Sequence, residues 1–165
     1  MTLTHVITHG LFFAAVANGY LFLLMISASP RVWGYSDYPQ IVKCKVPAQT
    51  PGERRLAALL GLPWFIFVLG FPVFSTYALK SKLGGEIPCL TALLNLIVMF
   101  VLATIGDLVI LDWLIITRIT PKFVIIPGSA AADYKDFSHH YKGHAKAAVI
   151  MVFIALALAV VVSYL

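Results

Sequence analysis

The chain has 165 residues, of which 61% are hydrophobic and only 12% are charged, and its mean hydropathy is +0.93. Soluble globular domains average about 45–50% apolar and about 25% charged residues, so this composition excludes a soluble domain and predicts a protein embedded in a lipid bilayer. The net charge of +5 does not predict a nucleic-acid partner, because the basic residues flank apolar segments as they do in membrane proteins.

Four apolar runs are each near or above the roughly 20 residues that a helix needs to cross the hydrocarbon core of a bilayer. They cover about 5–27, 56–79, 88–117 and 145–165. We therefore predict one all-α membrane domain over residues 1–165, a polytopic integral membrane protein with four transmembrane helices in a bundle. We interpret the first run as a span and not as a secretory signal, because no Lys or Arg precedes it and Pro30 follows it directly.

The basic residues are distributed unequally between the two predicted sides of the membrane. Ten of the twelve Lys and Arg residues lie in the 28–55 and 118–144 connections or at the foot of the fourth helix, and the other side has only Lys80 and Lys82. The positive-inside rule then makes both connections cytoplasmic and places both termini outside the cell membrane. Cys44 and Cys89 lie on opposite sides in this topology, so we expect two free thiols.

Two segments carry signals for the start of a helix. Thr50-Pro51-Gly52-Glu53 has the pattern of a capping box, so we expect the second long helix to begin before Arg54. Ser129 is a candidate N-cap for a helix that begins AAADYKDF. We expect that helix to continue without interruption into the fourth span.

His5 and His9 share a face of the first helix at positions i and i+4. Such a pair is either half of a metal site or an interfacial pair solvated at the membrane surface. The predicted topology places it on the outer side, away from His140 and His144. We therefore expect no site that combines the two groups of histidines.

The third span carries two acids, Asp107 and Asp112, within GDLVILDWLIITR. An ionised carboxylate at the bilayer centre costs roughly 3 kcal/mol or more, so Asp107 is the strongest functional candidate in the spans, with a structural hydrogen bond to Asn18 as the alternative. Five residues of α-helix rotate by about 140°, so we expect the two carboxylates to face different partners. For Asp112 the structural alternative is an interfacial pair with a loop lysine.

A metal site is one interpretation of the histidine-rich segment before the fourth span. Asp136, His140 and His144 recur at i, i+4 and i+8 on the predicted helix. Two imidazoles one turn apart can share a divalent ion, and a carboxylate can be a third ligand or can orient an imidazole. We predict these three residues as candidate ligands of a divalent metal cofactor, with Asp107 or Asp112 completing the shell.

The leading functional hypothesis is a site at the cytoplasmic interface that binds or modifies a small amphiphile or an anionic lipid. In this hypothesis Asp107 and His140 are the catalytic acid/base groups. The predicted ligand-binding residues are Asp112, Arg118, Lys135 and Lys142, the last three as contacts for an anionic head group.

Other functional classes stay open at this point. An ion-coupled transporter is one, and because four spans are few for a transport path it predicts a homo-oligomer. A scaffold or accessory subunit of a membrane complex is another, and it predicts an exposed contact face instead of a cavity. In the simplest interpretation the charges of residues 118–146 only form a solvated surface that attracts anionic lipids.

Overall fold

The computed structural model describes residues 2–164 and confirms the all-helical prediction, since 80% of it is helix and these residues contain no strand. Four helical segments are long and apolar enough to cross a membrane, as the four apolar runs predicted: Leu3–Ser27, Pro51–Lys82, Cys89–Ile119 and Ala131–Tyr164. The α-helices in chain order are α1 (Thr2–Ser27), α2 (Pro30–Trp33), α3 (Gln40–Lys45), α4 (Pro51–Lys82), α5 (Cys89–Gly106) and α6 (Phe137–Tyr164).

The long helices present large apolar side chains outward. Phe65, Ile66 and Phe153 are each at least 59% exposed, and similar residues recur along all four long helices. Water would make such a surface costly, whereas lipid chains would solvate it. The exterior therefore suggests a multi-pass membrane protein.

Small side chains allow α1, α5 and α6 to approach closely in the core. Ala17, Ala92, Ala155 and Ala159 are each at most 2% exposed, and they pack in one cluster with Phe13 and other apolar residues of these helices and of α4. Helices in lipid associate through such close packing because the hydrophobic effect does not distinguish a neighbouring helix from lipid.

A half-buried asparagine joins α1 to α5. Asn18 Nδ2 donates a hydrogen bond to the Ala103 carbonyl oxygen at 3.1 Å. The side-chain amide of Asn18 also occupies the place that a Cβ atom on Gly106 would take. The prediction that Asn18 bonds Asp107 is therefore wrong, because the amide is held by the main chain one turn earlier.

The 28–50 and 120–136 segments pack on one another at one end of the long helices, and we call them the cap. Tyr38 and Tyr134 are fully buried at its centre, with ring centroids 4.9 Å apart. Burial raises the pKa of Tyr38, so its phenol stays protonated and donates to the Val124 carbonyl oxygen at 3.0 Å. Lys45 Nζ and Asp133 Oδ1, 2.5 Å apart, join the two segments of the cap by an ion pair.

The start of α4 matches the sequence prediction. The Thr50 hydroxyl accepts a hydrogen bond from the Glu53 backbone N–H, and the Glu53 carboxylate accepts one from the Thr50 backbone N–H, which completes the capping box. Arg31 Nε lies 2.6 Å from Glu53 Oε1 and connects this helix start to α2. The capping-box prediction is confirmed.

The predicted helix start at Ser129 is wrong. A short 3-10 helix spans Ala131–Tyr134, and α6 begins only at Phe137. Asp136 causes the interruption, because its Oδ1 atom accepts hydrogen bonds from the Ser138 backbone N–H at 3.0 Å and from the Ser138 hydroxyl at 2.6 Å. Such a local side-chain bond caps a new helix and competes with continuation of the previous one.

The contact between Asn18 and Gly106 gives a stability test. Gly106→Ala should force the Asn18 amide away from the Ala103 carbonyl and lower stability by about 1–3 kcal/mol, as overpacking of a tight contact does. The measurement is the thermal unfolding midpoint of the purified protein in detergent.

The matched control for that test is Gly70→Ala in α4, where an added Cβ would meet no heavy atom within 4 Å. Its midpoint should stay unchanged or rise, because alanine favours a helix more than glycine does. Equal midpoints for the two variants would contradict the tight α1–α5 contact.

Candidate functional site

The helix that begins as α5 changes its hydrogen bonding at Asp107. Residues Asp107–Ile119 form a π-helix, in which each N–H bonds the carbonyl five residues earlier, as Thr120 N does to Ile115 O at 2.8 Å. Residues five apart therefore lie about one turn apart on the same face. The prediction that Asp107 and Asp112 face different partners is wrong, since it assumed α-helical rotation.

Both carboxylates face two histidines of α6, and we call Asp107, Asp112, His140 and His144 the Asp–His cluster. His144 Nε2 lies 2.9 Å from Asp112 Oδ2 and 3.8 Å from Asp107 Oδ2. His140 Nδ1 lies 3.2 Å from Asp112 Oδ1. The two histidines are one turn apart, so one carboxylate contacts both of them.

The second ring nitrogen of His140 has no partner among the described residues. His140 is only 5% exposed, and its Nε2 atom is buried without a hydrogen bond. A neutral ring whose Nδ1–H faces the Asp112 carboxylate carries its lone pair on Nε2. Buried polar atoms are nearly always satisfied in native proteins, so this nitrogen is an acceptor that the described residues leave unsatisfied.

A cavity of about 620 Å³ adjoins the cluster. Its apolar wall includes Leu21 and Leu24 of α1 and Leu60, Trp64 and Phe65 of α4. Its polar end is lined by the Asp–His cluster and by three more residues, Ser36, Asp37 and His139. The volume is in the range of about 300–1,000 Å³ that small-molecule sites have.

The structure brings together Asp107, Asp112, His140 and His144 among the predicted site residues and leaves the others outside the cavity. Lys142 is exposed, Arg118 is exposed with its guanidinium 5.8 Å from the centroid of the Trp113 ring, and Asp136 caps α6. Among the described residues that line the cavity, none is a lysine or an arginine.

Lys135 closes the π-helix and does not contact the cavity. Its Nζ atom donates to the Thr117 carbonyl at 2.8 Å, to the Arg118 carbonyl at 3.0 Å and to the Thr120 hydroxyl at 2.7 Å. Thr120 has a positive φ of 52°, which ends the helix in the left-handed region. The predicted role of Lys135 as an anion contact does not fit these bonds, because carbonyl oxygens of the helix end already occupy the ammonium group.

Two cavity residues, Trp33 and Asp37, were not among the predicted site residues. Trp33 Nε1 is buried and has no partner in residues 2–164, and the Asp37 carbonyl oxygen lies 3.0 Å from His139 Nε2. Desolvation and the neighbouring Asp112 carboxylate raise the pKa of Asp37 above its ordinary value. The only signal in the sequence is that Asp37 is an acid within an aromatic segment, WGYSDY.

His5 and His9 form a separate cluster near the start of α1. Their rings stack with centroids 3.8 Å apart, and His5 Nε2 lies 3.0 Å from the Ser75 carbonyl oxygen. Lys82 Nζ donates to His5 Nδ1 at 3.1 Å. His5 and His9 therefore lie at the opposite end of α1 from the cap, and the structure does not combine them with His140 and His144.

The fold and the geometry of the site are the basis for assigning a function to this chain. Comparison of the chain with family models, with curated proteins and with solved structures found no match.

Proposed function

We propose that this chain is an integral membrane protein whose cavity binds a small amphiphile, with the polar head at the Asp–His cluster and the apolar part against α1 and α4. The observation that carries the proposal is the buried Nε2 of His140, which has no partner among the described residues and lies beside a cavity with apolar walls. A head group that donates a hydrogen bond would satisfy this nitrogen, and an apolar chain would fit the leucine and aromatic wall.

The charges of the cavity favour a neutral or cationic head group. Its ionisable lining consists of three aspartates, three histidines and Tyr38, and an anion would meet carboxylates. The predicted cationic contacts, Arg118, Lys135 and Lys142, lie elsewhere. We therefore replace the anionic head group of the sequence-based hypothesis with an alcohol or an amine.

The Asp112–His140 pair supports acid/base chemistry on that head group. A carboxylate that holds Nδ1–H fixes the tautomer and stabilises the imidazolium that forms when Nε2 takes a proton. In the proposed complex the hydroxyl or ammonium of the amphiphile donates a hydrogen bond to Nε2 of His140, which is the position of a general base. Asp107 and His144 form the second carboxylate–imidazole pair at the same end of the cavity.

We propose the cell membrane as the location, with the cap in the cytoplasm and both termini outside. Ten of the twelve basic residues lie in the cap segments, at the end of the π-helix, at the start of α4 or at the foot of α6, which supports this orientation through the positive-inside rule. The amphiphile would then reach its cavity from the inner leaflet.

Ligand binding can be measured through the tryptophans. The chain has three, of which Trp33 and Trp64 line the cavity, so a Trp113→Phe background leaves only these two. In buffer with a chelator, so that no metal ion masks the carboxylates, terminally brominated dodecanol and dodecylamine should quench this fluorescence saturably. Brominated dodecanoate should bind at least about 10-fold more weakly, because one repelled charge is worth about 1.4 kcal/mol or more.

Two variants sharpen this experiment. Gly61→Leu places a side chain in the cavity wall and should remove the quenching, whereas Gly70→Leu, in the same helix but away from the cavity, should keep it. Asp112→Asn should weaken dodecylamine binding by about 10- to 100-fold, the loss expected for a hydrogen bond to a charged group. Quenching that is equal for all three probes and insensitive to Gly61→Leu would refute the proposed site and favour a scaffold.

The orientation is tested with single-cysteine variants. Cys44 in the cap and Cys89 at the start of α5 are both exposed. A membrane-impermeant thiol reagent applied to intact cells should label the Cys44→Ser variant, which retains Cys89. The Cys89→Ser variant should be labelled only after the cells are permeabilised, and the reverse pattern would invert the proposed topology.

A further inference from the structure

We propose that Asp107, Asp112 and His144 bind one divalent transition-metal ion at the polar end of the cavity. The inference deepens the proposed function and rests on it, because the ion would lie where the head group of the amphiphile is expected to bind. The inference also replaces the metal ligands predicted from sequence, which were Asp136, His140 and His144. Asp136 caps α6, and of these three residues only His144 belongs to the proposed set of ligands.

The distances between the donor atoms suit a single ion. One carboxylate oxygen from each aspartate and one ring nitrogen of His144 all lie within 4.8 Å of one another. The two contacts of His144 Nε2 with the carboxylates measure 2.9 Å and 3.8 Å. Ligand atoms that are each about 2.0–2.2 Å from one ion lie roughly 3–4 Å apart, so small side-chain movements would complete the coordination.

The charges of the site also favour a cation. The π-helix places two carboxylates side by side, and like charges at such distances repel strongly where water is scarce. Among the described residues of the cavity lining there is no lysine or arginine to compensate them. A divalent ion would neutralise both carboxylates and leave His144 as a neutral ligand.

His140 gives an independent reason to expect a metal ion at this site. Its Nδ1 atom holds Asp112 Oδ1, while Asp112 Oδ2 is the oxygen nearest His144, so His140 fixes the orientation of a ligand carboxylate as residues that support metal sites do. Its buried Nε2 atom has no partner within the part of the chain that the structure describes. That nitrogen can accept a hydrogen bond from a water or an alcohol bound at an open position of the ion.

The donor set selects the class of metal. Two carboxylate oxygens and one imidazole nitrogen suit Mn²⁺, Fe²⁺ or Zn²⁺, whereas Mg²⁺ and Ca²⁺ prefer oxygen ligands only. Three protein ligands leave coordination positions open for a small molecule. The site is therefore suited to bind the oxygen or nitrogen of the head group directly.

The test measures metal binding by the full-length protein in detergent after treatment with a chelator. Mn²⁺ is titrated in, and the free ion is followed by electron paramagnetic resonance, with Zn²⁺ and Mg²⁺ as competitors. We expect one Mn²⁺ per chain, displaced by Zn²⁺ and not by Mg²⁺ at the same concentration. Asp107→Asn and His144→Ala should each weaken binding by at least about 10-fold.

Two control variants separate this site from the other ionisable clusters. Asp136→Asn removes a carboxylate that only caps α6 and should leave Mn²⁺ affinity unchanged. His9→Ala removes one outer histidine and should also leave it unchanged. Absence of saturable binding, or binding that survives Asp107→Asn and is lost in His9→Ala, would overturn the inference, provided that circular dichroism shows each variant folded.

The tryptophan quenching assay, run with and without chelator, distinguishes failure of this inference from failure of the proposed function. Saturable quenching by brominated dodecanol together with no Mn²⁺ or Zn²⁺ binding would retain the amphiphile site and refute the metal. Metal binding that follows the three ligands, together with no quenching by any brominated probe, would retain the metal and refute the amphiphile.

Discussion

The i→i+5 hydrogen bonding of Asp107–Ile119 is the constraint on which the candidate site depends. An α-helix with the same sequence would turn one of the two acids away from α6. The wider helix instead presents both carboxylates to the histidines of α6 and makes a four-residue cluster from two helices. π-Helical segments are rare, because their geometry is less favourable than that of an α-helix and needs compensation by other contacts. Those that occur are frequently found at functional sites.

That compensation comes from the carboxyl end of the segment and from the cap. Lys135 donates to two terminal carbonyls and to the Thr120 hydroxyl, which fixes the end of the helix. The buried pair of Tyr38 and Tyr134 connects the cap segments next to it. The cap closes the cavity at one end and also holds the π-helix in place. The geometry of the candidate site and the stability of the loops therefore depend on the same contacts.

The helical class and the four apolar helices follow directly from composition and run length, because a segment that could cross a bilayer needs about 20 apolar residues and a helix that satisfies its own backbone. Asp107, His140 and His144 were predictable as site residues, since charged groups are costly beside apolar spans and stand out there. Their arrangement was not, because local periodicity assumes α-helical rotation. The role of Lys135 was also hidden, since it depends on a contact with carbonyls 17 and 18 residues away.

The π-helix also determines which sequence changes between the two acids preserve the geometry of the site. Val109 and Ile110 are exposed, and other apolar side chains would serve equally well at the lipid surface. The number of intervening residues, however, sets the angle between the carboxylates. Substitutions of one apolar residue by another in this stretch are therefore tolerable. Insertion or deletion of one residue would separate the acids. Related chains should accordingly be sought by the spacing of their aspartates more than by the residues between them.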